Sequence, residues 1–173
     1  MWVNEDEIPD NGIDDDGNGY IDDVHGYNFL NPVEIKDVDE LLDITWGKPG
    51  DNGHGTHVAG TVAAVNNNGM GVCGVAGGTG NGDGVRLMSC QLFAGNGTAT
   101  VDGRARSYKY AADNGASILQ CSFGVTAGTY KSDSHYEEVY GVEKDALAYF
   151  MNKPNCDAID GNIVIYASGN DAS

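Results

Sequence analysis

The chain has 173 residues, enough to bury the core of one domain, and its 26 glycines with only 4 prolines indicate many tight turns. Nine basic residues against 26 acidic residues give a formal charge of −17, which disfavours nucleic acid and anionic membranes as partners and favours cations. No apolar run approaches the roughly 18 residues of a membrane span, so we expect neither a nucleic-acid nor a membrane partner.

The negative charge is concentrated at one end, because 15 of the 26 acidic residues fall within the first 51 positions. Within residues 10–23, oxygen-bearing side chains alternate, a glycine permits a sharp turn and an apolar residue holds the eighth position, an order that resembles the first nine positions of an EF-hand calcium loop. His25 stands where the bidentate glutamate of the twelfth position belongs, so Asp22 or Asp23 is the expected substitute. The predicted ligands of a structural calcium ion are Asp14, Asp16, Asn18, Tyr20, Asp22 and Asp23. The alternative, a solvated acidic turn, does not account for this order.

Residues 24–51 mix aromatic, acidic and proline residues and are predicted to be a loop, with 38–42 as one helical turn. The nine residues that follow at 53–61 place a histidine, His54, beside glycines at the start of a helix. A histidine has a near-neutral pKa and can act as a general base. The small and apolar residues at 58–64 predict that this helix is tightly buried.

The rest of the chain alternates turns, apolar runs and helical patterns. Residues 66–76 predict a turn-rich hairpin, where Asn67 or Asn68 is either a ligand of a second calcium ion or an ordinary turn asparagine. Strands are predicted at 85–93, 116–123 and 161–167, and helices at 100–114 and 133–151. Apolar strands separated by helices indicate an α/β fold, with a parallel sheet covered by helices on both faces. Ligands of such sheets bind beyond the carboxyl ends of the strands, here after Phe93, at 122–124 and at 167–170.

The stretch Gly-His-Gly-Thr-His-Val-Ala-Gly-Thr at 53–61 resembles the histidine motif of the subtilisin-like serine peptidases, peptidase family S8. Ser-Phe-Gly at 122–124 and Ala-Ser-Gly-Asn at 167–170 follow it in the order of that family's catalytic domain. The resemblance implies that His54 is the catalytic base, that His57 is structural and that Asn170 donates its amide to the oxyanion. It also implies that a polypeptide substrate lies along Ser122, Phe123 and Gly124, with Gly95 and Gly97 on the opposite wall.

The resemblance implies a three-layer subtilisin-like fold in which residues 1–173 are part of one catalytic domain. Residues 1–51 would be its acidic calcium-loop region, and residues 52–173 its α/β core. No Asp-Ser-Gly or Asp-Thr-Gly segment precedes His54, and no Gly-Thr-Ser-Met-Ala-like segment follows Asn170. We therefore expect an internal part of a secreted or cell-surface, bacterial, monomeric endopeptidase that is inactive by itself. The alternatives are a calcium-stabilised peptide-binding or structural module without catalysis, and complementation by another chain.

Overall fold

The structure is a computed structural model that describes residues 1–30, 51–124, 129 and 131–170. These residues form two compact units, the first within 1–28 and 51–98 and the second within 29–30 and 99–170. The helical turn predicted at 38–42 lies outside the described residues.

The first unit contains two short strand pairs. Strand β1 (Gly26–Asn28) pairs in parallel with β2 (Ser89–Gln91), and β3 (Phe93–Ala94) pairs antiparallel with β4 (Gly97–Thr98). The prediction of loop for 24–51 is therefore wrong at β1, a buried strand of glycine, tyrosine and asparagine that is too short and too poor in β-branched residues to show a strand pattern. Gly26 has φ 133°, and a Cβ there would lie 1.8 Å from the carbonyl oxygen of Ser89, so only glycine fits this crossing.

Helix α1 (His54–Ala63) begins where the sequence predicts it. The N-cap is Gly53, at φ 69°, and the side chain of Asn52 accepts the backbone N–H of His54 at 3.0 Å. No residue of α1 is fully buried, so the prediction of a tightly buried helix is wrong within the described residues. Its apolar side chains are half-buried, because the described residues pack against the end of the helix and not along its side. At that end the N–H of Val75 donates to the Thr61 carbonyl at 2.9 Å. Residues 66–76 form turns and not a strand hairpin.

The second unit contains two long helices and a parallel strand pair. Helix α2 (Val101–Asp113) starts at Thr100, whose hydroxyl accepts the N–H of Gly103 at 3.1 Å. Strand β5 (Ile118–Cys121), helix α3 (Asp133–Asn152) and strand β6 (Ile163–Tyr166) follow, and β5 and β6 pair in parallel. All four elements were predicted, with the strands shorter than their apolar runs. The core of this unit is formed by Phe29, Ala105, Tyr108, Tyr110, Ala111, Ala112, Cys121 and Phe150.

Helices alternating with parallel strand pairs agree with the α/β prediction. The described strands form three two-stranded ladders, so one sheet covered on both faces stays a prediction. Among the described helices, none has both the length and the apolar character needed to cross a membrane.

Candidate functional site

The ends of β5 and β6 bring two predicted site segments together. Cys121 and Tyr166 are paired at the last position of the two strands, and the N–H of Ala167 donates to the Cys121 carbonyl at 3.0 Å. The Phe123 and Tyr166 rings meet edge to face, with centroids 6.1 Å apart. Because both strands run in the same direction, residues 122–124 and 167–170 follow their carboxyl ends side by side, at the same edge of the pair. Asn170 is exposed at this edge.

A partly buried polar network holds this end of β6 to the two helices. Arg104 of α2 binds Glu143 of α3 through two nitrogens, Nε to Oε1 at 3.1 Å and Nη2 to Oε2 at 3.0 Å. The Tyr108 hydroxyl donates to Glu143 Oε1 at 3.0 Å, and it lies 3.0 Å from the Tyr166 hydroxyl. The single O–H of Tyr108 donates its hydrogen bond to the Glu143 carboxylate, so Tyr166 must be the donor in the second bond.

Burial raises the pKa of Tyr108 and of Tyr166 above the ordinary value of 10.0, so both hydroxyls keep their protons and the chain of hydrogen bonds persists near neutral pH. Sequence reasoning missed this network. The signal available was a glutamate at position 143, between the apolar positions Val142 and Ala146 of α3. A charged residue within such a stripe is normally paired when it is buried.

In the first unit, the residues before His54 contact the turn between β3 and β4. A carboxylate oxygen of Asp51 accepts the N–H of Gly95. Gly95 has φ 55° and occupies the first position of the two-residue turn, where type II′ turns place a glycine. His54 and Gly97 are exposed. Asp51, three residues before His54, thus contacts the turn at Gly95, and sequence reasoning missed this contact.

His54, Gly95 and Gly97 belong to the first unit, and Ser122, Phe123, Gly124 and Asn170 to the second. The Ser122 hydroxyl accepts a hydrogen bond from the Gln120 amide at 3.0 Å.

The acidic loop is organised by its own side chains. Asp14 accepts the N–H groups of Asn18 and Gly19 at 3.0 and 2.8 Å, and Asn18 accepts the N–H of Tyr20 at 2.8 Å. Asp22, at φ 49°, accepts the N–H groups of Asn11 and Gly12 and so closes the start of the loop. These side-chain bonds to the backbone are what a loop so poor in apolar residues uses to hold its shape.

A second group of carboxylates gathers beneath the loop. One oxygen from each of Glu7, Asp16 and Asp23 lies within 4.8 Å of the others. Asp23 is 0% exposed and Glu7 is 6% exposed. The amides of Asn4 and Asn18 each donate to both Asp16 and Asp23, at 3.0 to 3.1 Å. Asp14 and Asp22 of the predicted ligand set lie outside this group. Glu7 was missed because it precedes the stretch that has EF-hand spacing.

Comparison with known proteins gives a consistent answer. The model of the Subtilase family, Peptidase_S8, matches residues 10–173. The chain is 29% identical over 150 residues to subtilisin-like protease 1 of Plasmodium vivax, covering 84% of this chain and 20% of that protein. It is 31% identical over 150 residues to a thermophilic serine proteinase of Bacillus sp. (strain AK1), covering 87% of this chain and 28% of the relative.

A third relative is thermitase of Thermoactinomyces vulgaris, 33% identical over 119 residues, or 69% of this chain and 34% of thermitase. The chain therefore spans between about a fifth and a third of the length of these relatives. A Plasmodium protein stands among them, so the similarity does not indicate the bacterial source that the sequence suggested.

Proposed function

Because the chain belongs to the subtilase family, we propose that it supplies the histidine and the oxyanion donor of a serine endopeptidase site, His54 as general base and Asn170 as donor. The observation that carries this proposal is the shared edge of β5 and β6, where residues 122–124 and 167–170 emerge side by side. Hydrolysis of a peptide bond requires a backbone segment that holds the substrate next to a hydrogen-bond donor for the oxyanion.

The chemistry follows from the residue types. His54 takes the proton of a serine hydroxyl as that oxygen attacks the scissile carbonyl, and returns it to the leaving amine as the acyl-enzyme forms. Negative charge develops on the carbonyl oxygen only during attack, so an amide already aimed at that position stabilises the transition state selectively. The sequence contains no motif for the nucleophilic serine or for the aspartate that orients the histidine, so both groups must come from residues outside these 173.

The substrate is proposed to lie as an extended strand along Ser122, Phe123 and Gly124. An exposed backbone edge at Gly124 offers hydrogen bonds to any peptide, whereas side-chain pockets decide the sequence preference. Gly95 and Gly97 are also proposed to bind the substrate, and the hydrogen bond to Asp51 fixes the N–H of Gly95. We also propose that the protein acts outside the cell or at its surface, as the family resemblance implies.

The test is Asn170→Ala in the polypeptide that carries the aspartate and serine motifs together with this chain. We expect kcat on a peptide substrate to fall roughly 100- to 1000-fold with little change in KM, because the amide acts only in the transition state. The matched control is Asn152→Ala, which removes an exposed asparagine at the end of α3. A variant N170A with the kcat of the control would contradict the assignment.

A calcium-stabilised peptide-binding module without catalysis is the second candidate, and the clustered carboxylates of Glu7, Asp16 and Asp23 favour the calcium that it requires. The 173-residue chain alone should then bind peptides and hydrolyse none. Sequencing the surrounding coding region separates the two candidates, because the enzyme requires both motifs in the same gene or in a partner chain. Hydrolysis by the isolated chain that disappears in His54→Ala would contradict both the module and the proposed division of the site.

A further inference from the structure

We propose that Tyr166 is a positioning residue of the substrate edge: its ring holds Phe123 in place, and the hydrogen bond between its hydroxyl and that of Tyr108 holds the ring. The inference rests on the proposed function, in which residues 122–124 bind the substrate. It adds a residue from outside the two segments at the ends of β5 and β6, because Tyr166 precedes 167–170 and lies four positions before Asn170.

The strand ladder ends before it reaches Phe123. The last pair of β5 and β6 is Cys121 with Tyr166, and the N–H of Ala167 donates to the Cys121 carbonyl just beyond it. Phe123 follows two residues later and is half-buried. Its ring meets the Tyr166 ring edge to face, with centroids 6.1 Å apart. Aromatic pairs in this arrangement attract each other beyond the area that they bury, so the Tyr166 ring supports Phe123.

Tyr166 can support another ring only if its own ring is fixed. The residue is 43% exposed, and an exposed tyrosine side chain ordinarily exchanges between rotamers. Two fixed points remove this freedom here. The backbone of Tyr166 is paired with Cys121, and its hydroxyl lies 3.0 Å from the hydroxyl of Tyr108, to which it donates. With both ends of the side chain held, the plane of the ring is set.

Tyr108 is a suitable anchor because it is itself immobilised. It is 1% exposed within α2, and its hydroxyl donates to Glu143 Oε1 at 3.0 Å. The Glu143 carboxylate is held in turn by two nitrogens of Arg104. A tyrosine hydroxyl that donates to a carboxylate still has lone pairs to offer, so Tyr108 accepts the proton of Tyr166. The orientation of Tyr166 is therefore determined from the helices α2 and α3.

The remaining neighbour of the two hydroxyls does not compete for this bond. The thiol of Cys121 lies beside both Tyr108 and Tyr166, and burial raises its pKa to about 11. It is uncharged near neutral pH, and a neutral thiol is a weak hydrogen-bond partner. The oxygen of Tyr108 is thus the stronger acceptor for the Tyr166 hydroxyl.

The experiment removes single hydroxyl groups in the polypeptide that contains this chain together with the serine and aspartate motifs. Tyr166→Phe removes the donor and Tyr108→Phe removes the acceptor of the same hydrogen bond, and both keep the ring. The matched control is Tyr149→Phe, which removes an exposed hydroxyl of α3 that donates to Asp113 at 2.6 Å.

We expect Y166F and Y108F each to raise KM for a peptide substrate roughly three- to tenfold with kcat nearly unchanged, because the edge holds the substrate equally in the ground state and the transition state. The double variant should be no worse than either single variant, since all three lack the same bond. Y149F should keep the wild-type KM. A fall in kcat without a change in KM would overturn the proposal, because it would mean that Tyr166 acts through Asn170 and not through the edge.

Fluorine NMR of the polypeptide labelled with fluorophenylalanine gives a readout that loss of stability alone would not change. The resonance of Phe123 is the one that disappears in Phe123→Leu. It should shift or broaden in Y166F and Y108F and stay unchanged in Y149F. An unchanged Phe123 resonance in Y166F would overturn the proposal whatever the kinetics, as would a wild-type KM in both hydroxyl variants.

Failure of the proposed function has a different signature. A polypeptide that binds peptides and hydrolyses none would contradict the peptidase assignment, and the dissociation constant of the peptide then takes the place of KM in the same comparison. A polypeptide that binds no peptide would overturn both the function and the positioning role of Tyr166.

Discussion

Replacing Glu143 by alanine should destabilise the second unit strongly, because this carboxylate is the centre of its buried network. Its side chain is 8% exposed and that of its partner Arg104 is 15% exposed. In E143A the guanidinium loses the carboxylate that accepts from two of its nitrogens, and the Tyr108 hydroxyl loses the acceptor of its proton. A nearly buried positive charge would then lose this counter-charge.

Removing one partner of a buried ion pair typically costs 3–5 kcal/mol, and because Arg104 retains some access to water we expect about 3 kcal/mol. For a chain of this size 1 kcal/mol corresponds to about 2–4 °C, so the unfolding temperature should fall by about 6–12 °C. The assay is urea and thermal unfolding followed by circular dichroism. The matched control is Glu137→Ala on the same helix, whose ion pair with Lys144 is exposed on both sides.

Exposed ion pairs contribute little, so E137A should unfold close to wild type. The unfolding temperature of Glu143→Gln should lie between those of E143A and wild type, since the amide keeps the shape and some hydrogen bonds but loses the charge. Equal unfolding curves for E143A and E137A would refute the reasoning that this network holds α2, α3 and the end of β6 together.

Two further predictions concern single positions. Burial opposes ionisation of Asp113, but hydrogen bonds from two lysines and a tyrosine outweigh it and lower its pKa from 3.8 to about 2. This lowered pKa contributes stability that is present above pH 3.8 and is lost as the pH falls through 2. In Asp113→Asn the urea midpoint of unfolding should therefore fall less steeply across that pH range than in wild type. Parallel pH profiles of wild type and D113N would contradict this prediction. Gly26→Ala should separate β1 from β2, because its Cβ would lie 1.8 Å from the Ser89 carbonyl oxygen at φ 133°, and strain alone costs roughly 1–3 kcal/mol. Gly60→Ala, in α1 with nothing within 4 Å of its Cβ, should not destabilise, and equal unfolding temperatures for the two alanine variants would contradict the prediction.

The second unit was largely predictable because its signals are local. Thr100 and Ser132 are N-cap residues that mark where α2 and α3 begin, and apolar runs mark β5 and β6. Such signals need no knowledge of distant residues. The two helices accordingly agree with their predicted ranges to within one residue.

The missed features depend on residues far apart in sequence. Strand β1 forms only because β2, more than 60 residues later, pairs with it. Glu7 meets Asp16 and Asp23 through the fold of the loop, and Asp51 reaches Gly95 across 44 positions. Burial of α1 was overestimated because an apolar pattern shows which face can be covered and not what covers it.

The most direct test of the account is activity of His54→Ala beside His57→Ala, in the polypeptide that also carries the serine and aspartate motifs. The two histidines lie one turn apart on the same exposed stretch of α1, so loss of fold should affect both alike. We expect H54A to lower kcat by roughly 10⁴- to 10⁶-fold, as for other triad histidines, and H57A to retain most of it. Equal activity of the two variants would contradict the assignment of His54 as the catalytic base.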